Sequence, residues 1–124
     1  MTRCTRARPY PFRRFAALFA AAFLASGSGG AWAQSSQSGT VLRLHVRGSD
    51  GLVYFYVSGL RSAPPACATQ PYWVIPNEAS TAARQQLALL MMAEATGKSV
   101  IVYGTGACSR WPDGESVLEV AVSD

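Results

Sequence analysis

The sequence predicts a small α+β domain in the order β-β-β-α-β-β, preceded by a segment that is not part of the fold. Three observations lead there. Runs of β-branched and aromatic residues recur at 40–46, 52–60, 72–75, 98–104 and 116–122. One stretch rich in Ala, Leu, Met and Gln, residues 80–96, falls between the third run and the fourth. The chain also opens with arginines and then an apolar run that ends at Ala31-Trp32-Ala33.

That opening carries Arg3, Arg6, Arg8, Arg13 and Arg14 without an acid, followed by FAALFAAAFLA and then SGSGGAWA. A basic start, a short apolar core and a small-x-small site together make a secretory signal peptide. The apolar run falls well short of the roughly 20 residues that span a bilayer, so no membrane span is expected after cleavage. The residues after Arg13-Arg14 fit twin-arginine export poorly, which favours the ordinary secretory route. The expected organisation is a signal peptide over 1–33, which takes Cys4 with it, and a single domain over 34–124, exported to the periplasm or secreted.

Cleavage reverses the charge of the chain. Of eleven Lys and Arg residues, five lie in the leader, which leaves six bases against seven acids, so the high isoelectric point belongs to the targeting segment. Nucleic acid is therefore not an expected partner. A 91-residue domain has a modest core, and a crosslink would help to hold it.

The first strand, TVLRLHV (40–46), alternates: Leu42, Leu44 and Val46 occupy one face, and Val41, Arg43 and His45 the other, with Arg47 extending the polar row. GSDG (48–51) turns the chain into LVYFYVSGL (52–60), where Tyr54 and Tyr56 share one face and Val53, Phe55 and Val57 the other, so the pair reads as a hairpin. Gly59 suggests a bulge or bend. A Pro-rich connection (61–71) leads to the short strand YWVI, stopped by Pro76. The helix has N-cap candidates in Asn77, Ser80 and Thr81 and a C-cap in Gly97. Its expected inward stripe is Ala83, Leu87, Leu90 and Met91, leaving Leu89 and Met92 to project elsewhere. A helix so widely apolar is enclosed by its own domain or covered by a partner, so Leu89 and Met92 are candidates for self-association into a homo-oligomer. KSVIVYG (98–104) and SVLEVAV (116–122) complete an order matching the five-stranded OB barrel.

Cys67 and Cys108 remain after export, and an even count in an oxidising compartment predicts their disulfide. GTGACSRWPDGES (104–116) is then a stapled turn and not a nucleophile loop, since a paired sulfur does not attack. TGKS (96–99) ends like a P-loop, but Met92 stands where that motif needs glycine, and the helix precedes the strand instead of following it. No cofactor, catalytic residue or metal site is expected: His45 is the sole histidine and has no second ligand at metal spacing. The ligand-binding candidates are Arg43, His45, Tyr54, Tyr56, Trp73 and Trp111, a cationic and aromatic set suited to stacking on a glycan or other small ligand.

PACAT and ARQQLALLMMAEATGKSVIVYGTGACSRWPDGE resemble a group of small exported proteobacterial proteins, and more distantly are similar to the OB-fold B subunits of subtilase cytotoxin and pertussis-type toxins. The shared features are a cysteine before the helix, a helix running into Thr96, Gly97 and Val100, and the strand that follows; they cover Cys67 to about Glu115. The resemblance implies an exported OB barrel and, by analogy with those subunits, an oligomer that binds glycans. No counterpart of their sugar-binding residues can be placed on this chain, and no toxin A subunit is implied. The expected function is a non-enzymatic binding or interaction module; an envelope subunit without a small ligand, or a small hydrolase with a polar pocket around His45, are the other classes.

Overall fold

In the computed structural model, which describes residues 34–123, five strands close into a barrel against which one helix packs: β1 (Ser36–Val46), β2 (Val53–Val57), β3 (Trp73–Val74), α1 (Thr81–Thr96), β4 (Ser99–Gly104) and β5 (Glu115–Ser123). The expected signal segment, with Cys4 and the cleavage site, lies outside the described residues. Around the barrel the order is β1-β2-β3-β5-β4, with β4 pairing back to β1. Every pair is antiparallel except β3 with β5. This is the OB-like α+β architecture expected from the element order, closed and carrying the Cys67–Cys108 disulfide.

β1 achieves closure by serving two neighbours. Its first half, Ser36 to Thr40, pairs with β4, and its second, from Val41, pairs with β2. At the changeover Val41 faces Val57 but Arg43 faces Tyr56, which leaves Leu42 as an extra residue in a bulge. A bulge shifts the side-chain alternation, which corrects the expected inward row: Leu42 is 57% exposed while Val41 and Leu44 pack on the core, and Val46, at the end of the strand, is 64% exposed. Gly39 lies just before this bend. A Cβ there would sit 2.2 Å from the Ser58 carbonyl oxygen, so glycine permits the close approach in which Ser58 also accepts the Thr40 N–H, at 2.8 Å. Gly59 lies beyond the end of β2 at a bend, with φ of 85°, and the β1–β2 bulge is in the partner strand.

The helix begins and ends as its caps dictate. Ser80 Oγ accepts the Ala83 N–H at 3.1 Å, and Gly97 takes the left-handed conformation while the Lys98 N–H returns to the Ala93 carbonyl. Ala83, Leu90 and Ala93 are its buried residues. The stripe differs from expectation at one position: Met91 is 56% exposed, because it sits about 100° around the helix from Leu90, and Ala93 takes the inward place. The core then joins Phe55, Trp73, Ile75, Val100, Val102 and Val117 to the helix. Burying each large apolar side chain contributes roughly 1.5–3 kcal/mol.

A polar network runs through this apolar interior. Glu115 is fully buried; its carboxylate accepts the Ser35 hydroxyl at 2.7 Å and the Gly106 N–H at 3.0 Å, and Arg61 Nη1 stands 3.7 Å away. Gln37 accepts the Trp73 indole N–H at 2.7 Å and donates to the Val57 and Gly59 carbonyls. Buried polar atoms left unmatched are costly, so these partners fix the register of β1 against the loops at its end.

Candidate functional site: an aromatic outer face

β2 decides where the aromatic side chains go. Its two-residue period sends Val53, Phe55 and Val57 into the barrel and leaves Tyr54 and Tyr56 half-buried on the outside. Register with β1 sets His45 opposite Tyr54 and Arg43 opposite Tyr56. Tyr72 precedes the inward-facing Trp73, so the same alternation turns it out onto this surface. The loop 105–114 supplies Trp111 and Asp113, and Cys108 ties that loop through the disulfide to the 61–71 connection.

The rings form one contiguous surface. His45 stacks on Tyr54 with centroids 4.6 Å apart and planes within 9°, and it meets the edge of Tyr56 at 6.0 Å. Tyr72 lies 5.3 Å from Tyr54 and 5.8 Å from Tyr56. Arg43 covers the outer side of Tyr56 at 4.3 Å, and Arg47 covers Trp111 at 4.1 Å. Tilted and edge-on contacts of this kind are the favoured arrangements for aromatic pairs, and guanidinium groups over rings add attraction. Between them is a cavity of about 190 Å³ lined by Arg47, Leu52, Tyr54, Tyr56, Tyr72 and Trp111.

Its electrostatics are balanced. Arg47 donates two hydrogen bonds to the Asp50 carboxylate, at 2.7 and 2.6 Å, and Arg110 reaches both Asp50 and Glu78. The Arg47 hydrogen bond holds the Asp50 carboxyl well below the usual carboxylate range, helped by the Leu52 N–H, and Asp50 in turn raises Arg47. Tyr72 donates its phenol proton to Asp113. Burial, and then that hydrogen bond, push the phenol up to about 12. The Tyr72 ring is thereby fixed in its neutral form, while the Tyr54 and Tyr56 hydroxyls make no hydrogen bond among the described residues.

Of the candidates read from the sequence, Arg43, His45, Tyr54, Tyr56 and Trp111 come together on this face. Trp73 does not: it is wholly buried, its indole N–H is taken by Gln37, and Arg61 stacks on its ring at 3.8 Å. Tyr72 and Asp113 were missed. Alternation in YWVI would have placed Tyr72 and Trp73 on opposite faces, but nothing in the sequence says which of the two is inside. The surroundings of His45 are aromatic, which suits stacking. Among the described residues no group of three or more His, Cys, Asp or Glu side chains is placed to hold a metal ion, and no helix is long and apolar enough to cross a membrane. Leu89 and Met92 are 36% and 45% exposed on the helix. No family profile, curated protein or solved structure matches this chain.

Proposed function

We propose that this chain is an exported, non-enzymatic binding module that takes a ring-bearing polar ligand, a glycan or comparable small molecule, on the face of His45, Tyr54, Tyr56, Tyr72 and Trp111. The observation that carries the proposal is the contiguous half-buried aromatic surface on the outside of the barrel, where a solvated strand face would ordinarily be polar. Aromatic rings present flat apolar area at small entropic cost, and the hydroxyls and arginines at their rim supply orientation. The paired charges favour a ligand recognised by stacking and hydrogen bonds over one held by net charge.

The test is a glycan and metabolite screen on mature, oxidised protein, followed by Tyr54→Ala/Tyr56→Ala. Binding to the wild type that drops at least about tenfold in a variant with unchanged circular dichroism supports the face, because removing two stacked rings forfeits more than about 1.4 kcal/mol. A ligand bound equally by both proteins refutes it. The helix favours a second reading. Leu89, Met91 and Met92 are all exposed, so an interaction subunit that self-associates through this side is the alternative, and the native mass of the same sample distinguishes it.

A further inference from the structure

A second cavity, of about 290 Å³, opens between the start of β1, the end of β2 and the 61–71 connection, away from the aromatic lining just described. Its walls are largely apolar, from Leu60, Pro64, Ala68 and Pro71, with Thr69 and Gln70 at the chain above them. Arg61 is the one charged side chain among its described lining residues, and Gln37, also in the lining, has its amide committed to Trp73, Val57 and Gly59.

Arg61 is held in place and incompletely satisfied. Its side chain is only 8% exposed, its guanidinium carbon sits over the Trp73 ring 3.8 Å from the centroid, and its Nη2 donates to the carbonyls of Tyr72 at 3.0 Å and Pro71 at 3.2 Å. Nε is buried and has no acceptor among the described residues. Glu115 forms an ion pair with Nη1 at 3.7 Å but no hydrogen bond at that distance, and its oxygens also accept from Ser35 and Gly106. Burial lowers the Arg61 pKa, a sign that its charge is short of solvation, although Glu115 opposes the effect. A buried donor on a cation without a partner costs more than a neutral one and is relieved by an incoming acceptor, most of all a charged one.

We propose that this cavity is a second binding site, separate from the aromatic face, for a small organic carboxylate: the apolar walls take the body of the ligand and the Arg61 guanidinium its carboxylate. The planar guanidinium matches a carboxylate in shape as well as charge. The site stands whether or not the aromatic face binds a glycan.

Benzoate, with benzamide as its uncharged isostere, tests the assignment. In amide-resolved NMR of the mature oxidised protein, benzoate is expected to give saturable shifts at Gly59, Ala68, Thr69 and Gln70, and benzamide to bind at least about tenfold more weakly, the difference between a charge-assisted and a neutral hydrogen bond. Equal binding of both compounds, no saturable shift with benzoate, or shifts confined to Tyr54, Tyr56 and Trp111 would each overturn the proposal. Arg61→Gln is expected to abolish the preference for benzoate. Because Arg61 supports the core network, Thr69→Trp is the companion variant: it blocks the cavity from an exposed position and leaves Arg61 untouched, so loss of benzoate binding in the folded variant supports the site and retention counts against it. Tyr54→Ala/Tyr56→Ala is expected to keep the benzoate shifts, which separates failure here from failure at the aromatic face.

Discussion

Breaking the Cys67–Cys108 bond tests how much of this small barrel depends on its crosslink. The cysteines are 41 positions apart, with Cα atoms at 6.1 Å. On the chain-entropy model a loop of that length restricts the unfolded chain by about 4 kcal/mol, a large share of the roughly 5–14 kcal/mol that a domain of this size has in total. Each kcal/mol moves the midpoint of a domain this small by about 4–8 °C, so Cys67→Ala/Cys108→Ala should melt roughly 15–30 °C below the oxidised wild type. Thermal unfolding followed by circular dichroism, with and without reductant, measures the shift. The loss should also be local before it is global, because the bond holds the loop that carries Trp111 to the 61–71 connection. Trp73 is fully buried and Trp111 half-buried, so a red shift in tryptophan emission well below the melting point would report release of Trp111. A midpoint within about 5 °C of the wild type, with unchanged emission, would refute the reasoning: it would mean that the hydrogen bonds of Glu115 and Gln37 fix these loops without the staple.

Gly104→Ala should destabilise by at least the roughly 1–3 kcal/mol typical of overpacking, since a Cβ there would lie 1.9 Å from Glu115 Oε1 and 2.8 Å from the Trp73 ring; denaturant unfolding against the control Gly48→Ala, which meets nothing within 4 Å, checks it. Tyr72 is favoured neutral in the fold, with its pKa raised from 10.0 to about 12, so its contribution is complete below pH 10 and is lost as pH rises toward 12. Unfolding across that window should weaken wild type more than Tyr72→Phe, and equal losses would show that burial and the Asp113 hydrogen bond do not hold Tyr72 neutral. Leu89→Gln/Met92→Gln should convert any oligomer to a folded monomer by sedimentation, whereas unfolding would show that these side chains support the chain's own core. Leu90→Ala should cost about 2–5 kcal/mol, being a full-burial truncation under the barrel.

Much of the fold was legible in local chemistry. The helix could be read from Ser80 to Gly97 because capping is a property of neighbouring residues: a side-chain oxygen three positions before an orphan N–H, and a glycine where φ must turn positive. The strands of LVYFYV and KSVIVYG could be read because period-two burial needs only the strand itself, and that reading correctly split Tyr54 and Tyr56 from Phe55. The disulfide followed from counting cysteines. What required the tertiary structure was everything set by distant partners. The β1 bulge at Leu42 exists because one strand must serve β4 and then β2, and no alternation pattern contains that demand. The length of β1 was underestimated for the same reason, since Ser36 to Thr40 are polar or small and are strand because β4 pairs with them. Alternation cannot tell which of Trp73 and Tyr72 faces inward; in the fold the tryptophan packs in the core with its N–H on Gln37 and Arg61 on its ring, and the tyrosine meets Asp113 and the outer rings. Nothing local in the sequence marks Glu115 as buried; its carboxylate is satisfied by Ser35 and Gly106, 80 and 9 positions away. Sequence determined the elements because their causes lie within a few residues; the fold alone decided the site, because its rings and charges come from strands and loops that only barrel closure brings together.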